Sequence, residues 1–169
     1  RFTHCLNIMI LKLINKETLI IDEFKFKCCI GKKGLKTNKI EGDKGTPKGK
    51  FELGTLYWRK DRINKLNTKL NIFPITENMY WEDNPYNTNY NMLTLNNKSS
   101  EHLFRKDNIY DLLIVINYNF NPIIKNKGSA IFLHICKKNY APTKGCVAIN
   151  KKDMMNLLAN IKYRTKLII

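Results

Sequence analysis

Two residues have types and settings suited to nucleophilic chemistry, His134 and Cys146. His134 ends the apolar run that begins at Ala130. Cys146 follows the tight stretch Pro142-Thr143-Lys144-Gly145 and precedes the apolar Val147-Ala148-Ile149. A cysteine just after a glycine turn can present its sulfur at a strand end. There the backbone N–H groups of Gly145 and Cys146 can face a substrate oxygen, which places a nucleophile beside an oxyanion hole. The thiolate is the reactive form, and a nearby imidazole lowers the thiol pKa from its free value of about 8.5. The loop between the two residues is long enough to fold back, so a His134 nitrogen is expected within hydrogen-bonding reach of the sulfur. Taken alone, these residues leave open a structural histidine and a core cysteine.

The other cysteines do not compete for this role. Cys5, Cys28, Cys29 and Cys136 complete an odd set with one adjacent pair and no C-x-x-C spacing. That argues against a disulfide framework and against a zinc site, and no metal or cofactor is expected. Cys136, two residues past His134 on the same strand, would face the same side, with packing as its expected role.

The net charge of +16 comes almost wholly from lysine, since arginine occurs only at 1, 59, 62, 105 and 164. A basic excess can mark a nucleic-acid surface. Here the lysines are scattered among many Asn and Ile residues, as an A+T-rich coding sequence would give. No nucleic-acid partner is expected, although a basic binding module with a contiguous lysine patch is the rival from another class. No apolar run reaches the ~18–20 residues of a membrane-spanning helix, and no secretory signal pattern is visible.

The elements that must position His134 and Cys146 are mostly strands. Ile10–Ile14 and Thr18–Ile21 flank a turn and predict a hairpin, and Phe24–Ile30 and Phe51–Trp58 read as further strands. Residues 31–50 read as a polar loop, and 59–107 as a long irregular stretch of the kind that often covers a site. Tyr110–Tyr118, Ala130–Ile135 and Gly145–Ile149 are strand candidates. Asn150 can cap a helix with Asp153 three residues on. Met154, Leu157, Leu158 and Ile161 then give one apolar face, and 167–169 can close the sheet. The expected architecture is mainly β, with one clear helix near the C-terminus and long irregular loops. Residues 1–8 read as an extension of doubtful role before a single domain over 9–169.

The segment from Ser129 to Asn150 resembles the catalytic signature of the L,D-transpeptidases, the YkuD-type domain. The matching residues are His134, then Thr143-Lys144-Gly145-Cys146-Val147 and Asn150. Upstream, Gly45-Thr46-Pro47-Lys48-Gly49-Lys50-Phe51 is similar to the Thr-Pro-x-Gly-x-Phe segment of these domains. With Glu41-Gly42-Asp43, Tyr118-Asn119, Gly128 to His134 and Tyr140 to Thr143, it resembles a compact proteobacterial subgroup. The resemblance implies a β-sandwich, Cys146 as nucleophile and His134 as base. It also implies a peptidoglycan stem peptide as substrate and the periplasm or cell envelope as location. The acceptor is left open: an amine would give a transpeptidase, water a carboxypeptidase or endopeptidase. A non-catalytic wall-binding relative is a further alternative. Candidate substrate contacts are Tyr86, Asn87, Tyr118, Asn119, Tyr140, Thr143 and Lys144, and the expected state is a monomer. The loop from His134 to Cys146 is shorter than in the broader family.

Overall fold

The computed structural model describes residues 8–169, so most of the N-terminal extension, with Cys5, lies outside the described residues. Alternating apolar residues make the first hairpin. β1 (Ile10–Asn15) and β2 (Thr18–Ile21) pair antiparallel, with Leu11, Leu13, Leu19 and Ile21 turned inward. β3 (Phe24–Cys29) continues the meander. The stretch expected to be a plain loop holds two short strands, β4 (Leu35–Lys36) and β5 (Thr46–Pro47), paired parallel. β6 (Lys50–Trp58) is the longest strand.

The long irregular stretch contains β7 (Ile72–Pro74), β8 (Met79–Trp81), β9 (Leu93–Leu95) and β10 (Glu101–His102), the last three forming a small separate sheet. Side chains tie this stretch down. Arg59 donates to the Arg105 carbonyl at 2.7 Å, and Arg62 pairs with Asp111 at 2.7 Å. The strands here are two or three residues long and carry no period, which is why the sequence pattern does not reveal them.

β11 (Leu112–Ile116), β12 (Phe132–Ile135), β13 (Val147–Ile149), helix α1 (Lys151–Asn160) and β14 (Lys166–Ile168) complete the chain. Asn150 caps α1 as expected, its side chain accepting from the Asp153 N–H at 2.8 Å. The large sheet closes on itself. β3 pairs with β13, β13 with β12, β12 with β11 and β11 with β6. β6 pairs with β14 and β14 with β1. Closure into a barrel-like ring leaves these eight strands without a free edge. β6 serves both halves, giving Lys50–Glu52 to β14 and its C-terminal half to β11 and β7. The mainly-β, single-helix architecture is thus as expected, with the sandwich's two sheets joined.

Strand alternation divides the core. Leu112, Ile114, Leu133, Val147 and Ile149 point into the ring with Leu11, Leu56 and the α1 residues Met154, Leu157 and Leu158. Leu113, Val115, Phe132 and Cys146 point the other way, into a second core with Ile75, Trp81, Leu103 and Tyr110. The irregular stretch therefore buries the outer face of β11 and β12.

Candidate active site

His134 and Cys146 share that outer face because of pleat and register. Leu133 is paired with Val147 and His134 with Ala148 in the parallel β12–β13 ladder. Leu133 and Val147 point inward, so their neighbours His134 and Cys146 both point outward. Cys146 lies beside Phe132, one pleat repeat from His134, a step of about 7 Å along the strand.

The turn before the sulfur is gripped from two sides. The Thr143 hydroxyl donates to the Cys146 carbonyl at 2.6 Å and accepts from the Gly145 N–H at 3.1 Å. The hydroxyl of fully buried Thr46 accepts from the Gly31 N–H at 2.8 Å and lies 3.5 Å from the same Cys146 carbonyl. The Gly45-Thr46-Pro47 motif therefore acts as a backing for the turn that carries Cys146. Gly145 has φ +146, and a Cβ there would come within 3.0 Å of the Gly45 carbonyl oxygen, so both conformation and space require glycine. Of the two N–H groups expected to face a substrate oxygen, that of Gly145 is thus engaged by the Thr143 side chain.

The sulfur's hydrogen bonds differ from the expected thiol–imidazole contact. The Cys146 thiol donates to the Ala130 carbonyl at 3.2 Å and accepts from the Phe132 N–H at 3.4 Å. His134 is not among its partners. The acceptor position is itself built: Ala130 sits at φ +53, and its N–H donates to the Asn91 side chain at 3.1 Å. His134 packs edge-on against the Tyr110 ring at 5.3 Å, and its Nδ1 lies 2.8 Å from the Ile135 carbonyl. That contact sets the tautomer with the proton on Nδ1 and the lone pair on Nε2.

Both groups rest uncharged. Burial pushes the Cys146 thiol up to about 12, and the nearby Glu101 carboxylate adds to this, while the Phe132 N–H and Lys39 oppose it. Burial also pushes His134 down to about 4, against the opposing pull of the Ile135 carbonyl. At neutral pH the resting pair is a thiol and a neutral imidazole.

The two residues line one groove of about 520 Å³ with Tyr110, Ala130, Thr143 and Lys144. Of the candidate substrate contacts, only Thr143 and Lys144 fall there. Tyr118 and Asn119 line a separate depression, where Asn119 spans the turn by bonding Ile124 and Gly128. Tyr140 accepts from Asn150 at 2.9 Å and lies under Lys27. Asn87 bonds Glu82, and Tyr86 projects into solvent at 91% exposure. The groove instead recruits Lys39, Glu41, Asp83, Glu101, Arg105 and Lys137. Glu41 was visible as part of a motif. The others come from non-periodic stretches that carry no signal of position.

Residues 12–169 match the family model of the L,D-transpeptidase catalytic domain, YkuD. The match spans nearly the whole chain, and the chain belongs to this family, whose members are typically cysteine-dependent enzymes acting on peptidoglycan. Comparison with curated proteins and with solved structures gave no significant match. No helix among the described residues is long and apolar enough to cross a membrane.

Proposed function

We propose that this chain is a peptidoglycan L,D-transpeptidase that works by cysteine acyl transfer in the cell envelope. The observation that carries this reading is the placement of Cys146 and His134 on one face of paired strands, lining one groove, in a chain of this family. A stem-peptide amide entering the groove displaces the thiol from the Ala130 carbonyl. The sulfur turns toward His134 Nε2 and attacks the amide carbonyl as its proton passes to the imidazole. The Cys146 N–H stabilises the oxyanion. Imidazolium then protonates the leaving amine, the C–N bond breaks, and a thioester joins the donor stem to Cys146. An amine from a second stem resolves it into a cross-link.

Mass spectrometry of muropeptides incubated with the protein tests this. Wild type should produce cross-linked species, and Cys146→Ala should produce none. Product formation by Cys146→Ala at the wild-type rate would place the nucleophile elsewhere. A carbapenem offers a strained carbonyl to the same sulfur, so intact-protein mass should rise by one drug mass in wild type and not in Cys146→Ala.

A further inference from the structure

The groove that carries Cys146 has walls of both signs, with Lys44, Lys137 and Lys144 against Glu41, Asp83 and Glu101. Two of the three acids are occupied within the protein. Glu41 accepts from the Tyr90 and Ser129 hydroxyls. Glu101 accepts from the Tyr110 hydroxyl at 2.9 Å and pairs with Arg105 at 3.4 Å. Asp83 differs. It lines the same groove as Cys146 and His134, and among the described residues its carboxylate has no ion pair and no hydrogen bond to another residue's side chain, while Glu101, Glu41 and Glu82 act on it unfavourably. The chain holds 30 Lys and Arg against 14 Asp and Glu, so an acid left without a cationic partner is not what composition alone would give. Burial and these neighbours raise its carboxyl above the ordinary range, a situation that an arriving cation relieves.

The character of that cation follows from geometry and from the reaction. No group of three or more His, Cys, Asp or Glu side chains among the described residues is close enough to hold a metal ion. An organic ammonium needs no such convergence, only a carboxylate on the wall of the groove where it must react. Acyl transfer, on which this inference rests, calls for one: an acceptor amine is an ammonium at neutral pH. We infer that Asp83 docks the ammonium of the acceptor stem peptide beside the Cys146 thioester and thereby favours aminolysis over hydrolysis. The ammonium gives one proton to the Asp83 carboxylate. The free amine forms the new C–N bond at the thioester carbonyl, and the C–S bond breaks. The second proton on nitrogen passes through His134 to the sulfur, restoring the thiol, and Asp83 returns its proton to water.

The test is the partition of the acyl-enzyme between two products. The full chain is incubated with a soluble donor stem peptide and a diamino-acid tripeptide as acceptor, and cross-linked and hydrolysed products are read in the same sample. The ratio is internal, so a variant with a smaller folded fraction still reports it. Asp83→Asn should lower the cross-link-to-hydrolysis ratio about tenfold, a size consistent with loss of one partly buried ion pair. Asp83→Glu should recover much of it. With hydroxylamine, a nucleophile uncharged at pH 7, the ratio should be the same in wild type and Asp83→Asn. An unchanged tripeptide ratio in Asp83→Asn would overturn the inference, as would an equal drop with hydroxylamine, which would mark a structural role. Absence of any acyl-enzyme in wild type would instead overturn the acyl-transfer reading itself.

Discussion

The resting thiol and imidazole are held apart by hydrogen bonds that each already satisfies: Cys146 to Ala130 and His134 to Ile135. This has consequences for pH. The His134 pKa is pushed down from 6.5 to about 4, so the imidazole stays neutral far into acid. The acid limb of kcat/KM should lie near pH 4 and not near the usual imidazole value. Stability should report the same group. A depressed pKa stabilises the folded state above the unfolded value, and that contribution is lost as pH falls from about 6.5 toward about 4, on the order of 3 kcal/mol. The paired carboxylates of Asp43, Asp61 and Asp107 are held below 3.8 and act at lower pH. Denaturant unfolding from pH 7 to 4.5 should therefore fall in wild type and flatten in His134→Asn. A wild-type curve level across that range would show that the buried imidazole is not what the fold protects. At the sulfur, Cys146→Ser should leave the fold intact and reduce turnover by more than about a thousandfold, because a hydroxyl is far harder to ionise in a site built for a thiol. Near-normal turnover in Cys146→Ser, with loss in Cys136→Ser, would move the chemistry to the Cys136 sulfur.

At the scale of elements, the long irregular stretch acts as a clamp, and Asn91 is where it closes. Its side-chain oxygen accepts from the Trp81 indole at 2.9 Å and from the Ala130 N–H at 3.1 Å. Its amide donates to the Asn119 carbonyl at 2.8 Å and more distantly to that of Tyr118. One buried side chain thus joins the small sheet, the end of β11 and the residue whose carbonyl holds the thiol. Asn91→Leu keeps much of the volume and strands all these partners, so it should cost about 3 kcal/mol, given ~1–3 kcal/mol for each buried group left unpaired. Turnover per folded molecule should also drop as Ala130 loses its anchor. Urea midpoints and single-turnover rates measure the two effects separately, and unchanged values in both would show that the stretch is only draped over the barrel. This clamp also marks where sequence reading stops. The barrel strands and the α1 cap are legible because alternation, helical spacing and an Asn with Asp three residues on each reflect a local physical requirement. His134 and Cys146 stand out through the family signature, because the glycine turn and the strand end alone leave a structural histidine and a core cysteine open. Asn91 and Asp83 do not, since their roles arise from contacts between distant stretches with no period. For the same reason the sequence does not tell that Tyr118 and Asn119 lie outside the lining of the Cys146 groove, since their local pattern suits a turn and a groove equally well.

At the scale of the whole molecule, the question is what a net charge of +16 does when the reactive groove carries acids as well as lysines. Seven ion pairs occur among the described residues, and they engage few of the lysines: only Lys39 and Lys166 are members. The excess is therefore spread over the surface as unpaired ammonium groups on flexible stems. Such a field attracts an anionic polymer over distances of a Debye length, about 8 Å at physiological ionic strength and about 3 Å at 1 M, and salt removes it. The groove is different: its charges are of mixed sign and partly buried, so bulk ions screen them less. Association with isolated cell wall should accordingly weaken by about tenfold or more between low and high salt, while donor acylation by a small soluble stem peptide changes only a few-fold. Pull-down with sacculi and acyl-enzyme formation, measured over the same salt series, compare the two directly. A parallel loss in both would mean that the lysines act within the groove and not as a tether. Replacing three exposed lysines outside the groove lining, Lys12, Lys25 and Lys152, by glutamine should reproduce part of the salt effect on wall association at low ionic strength.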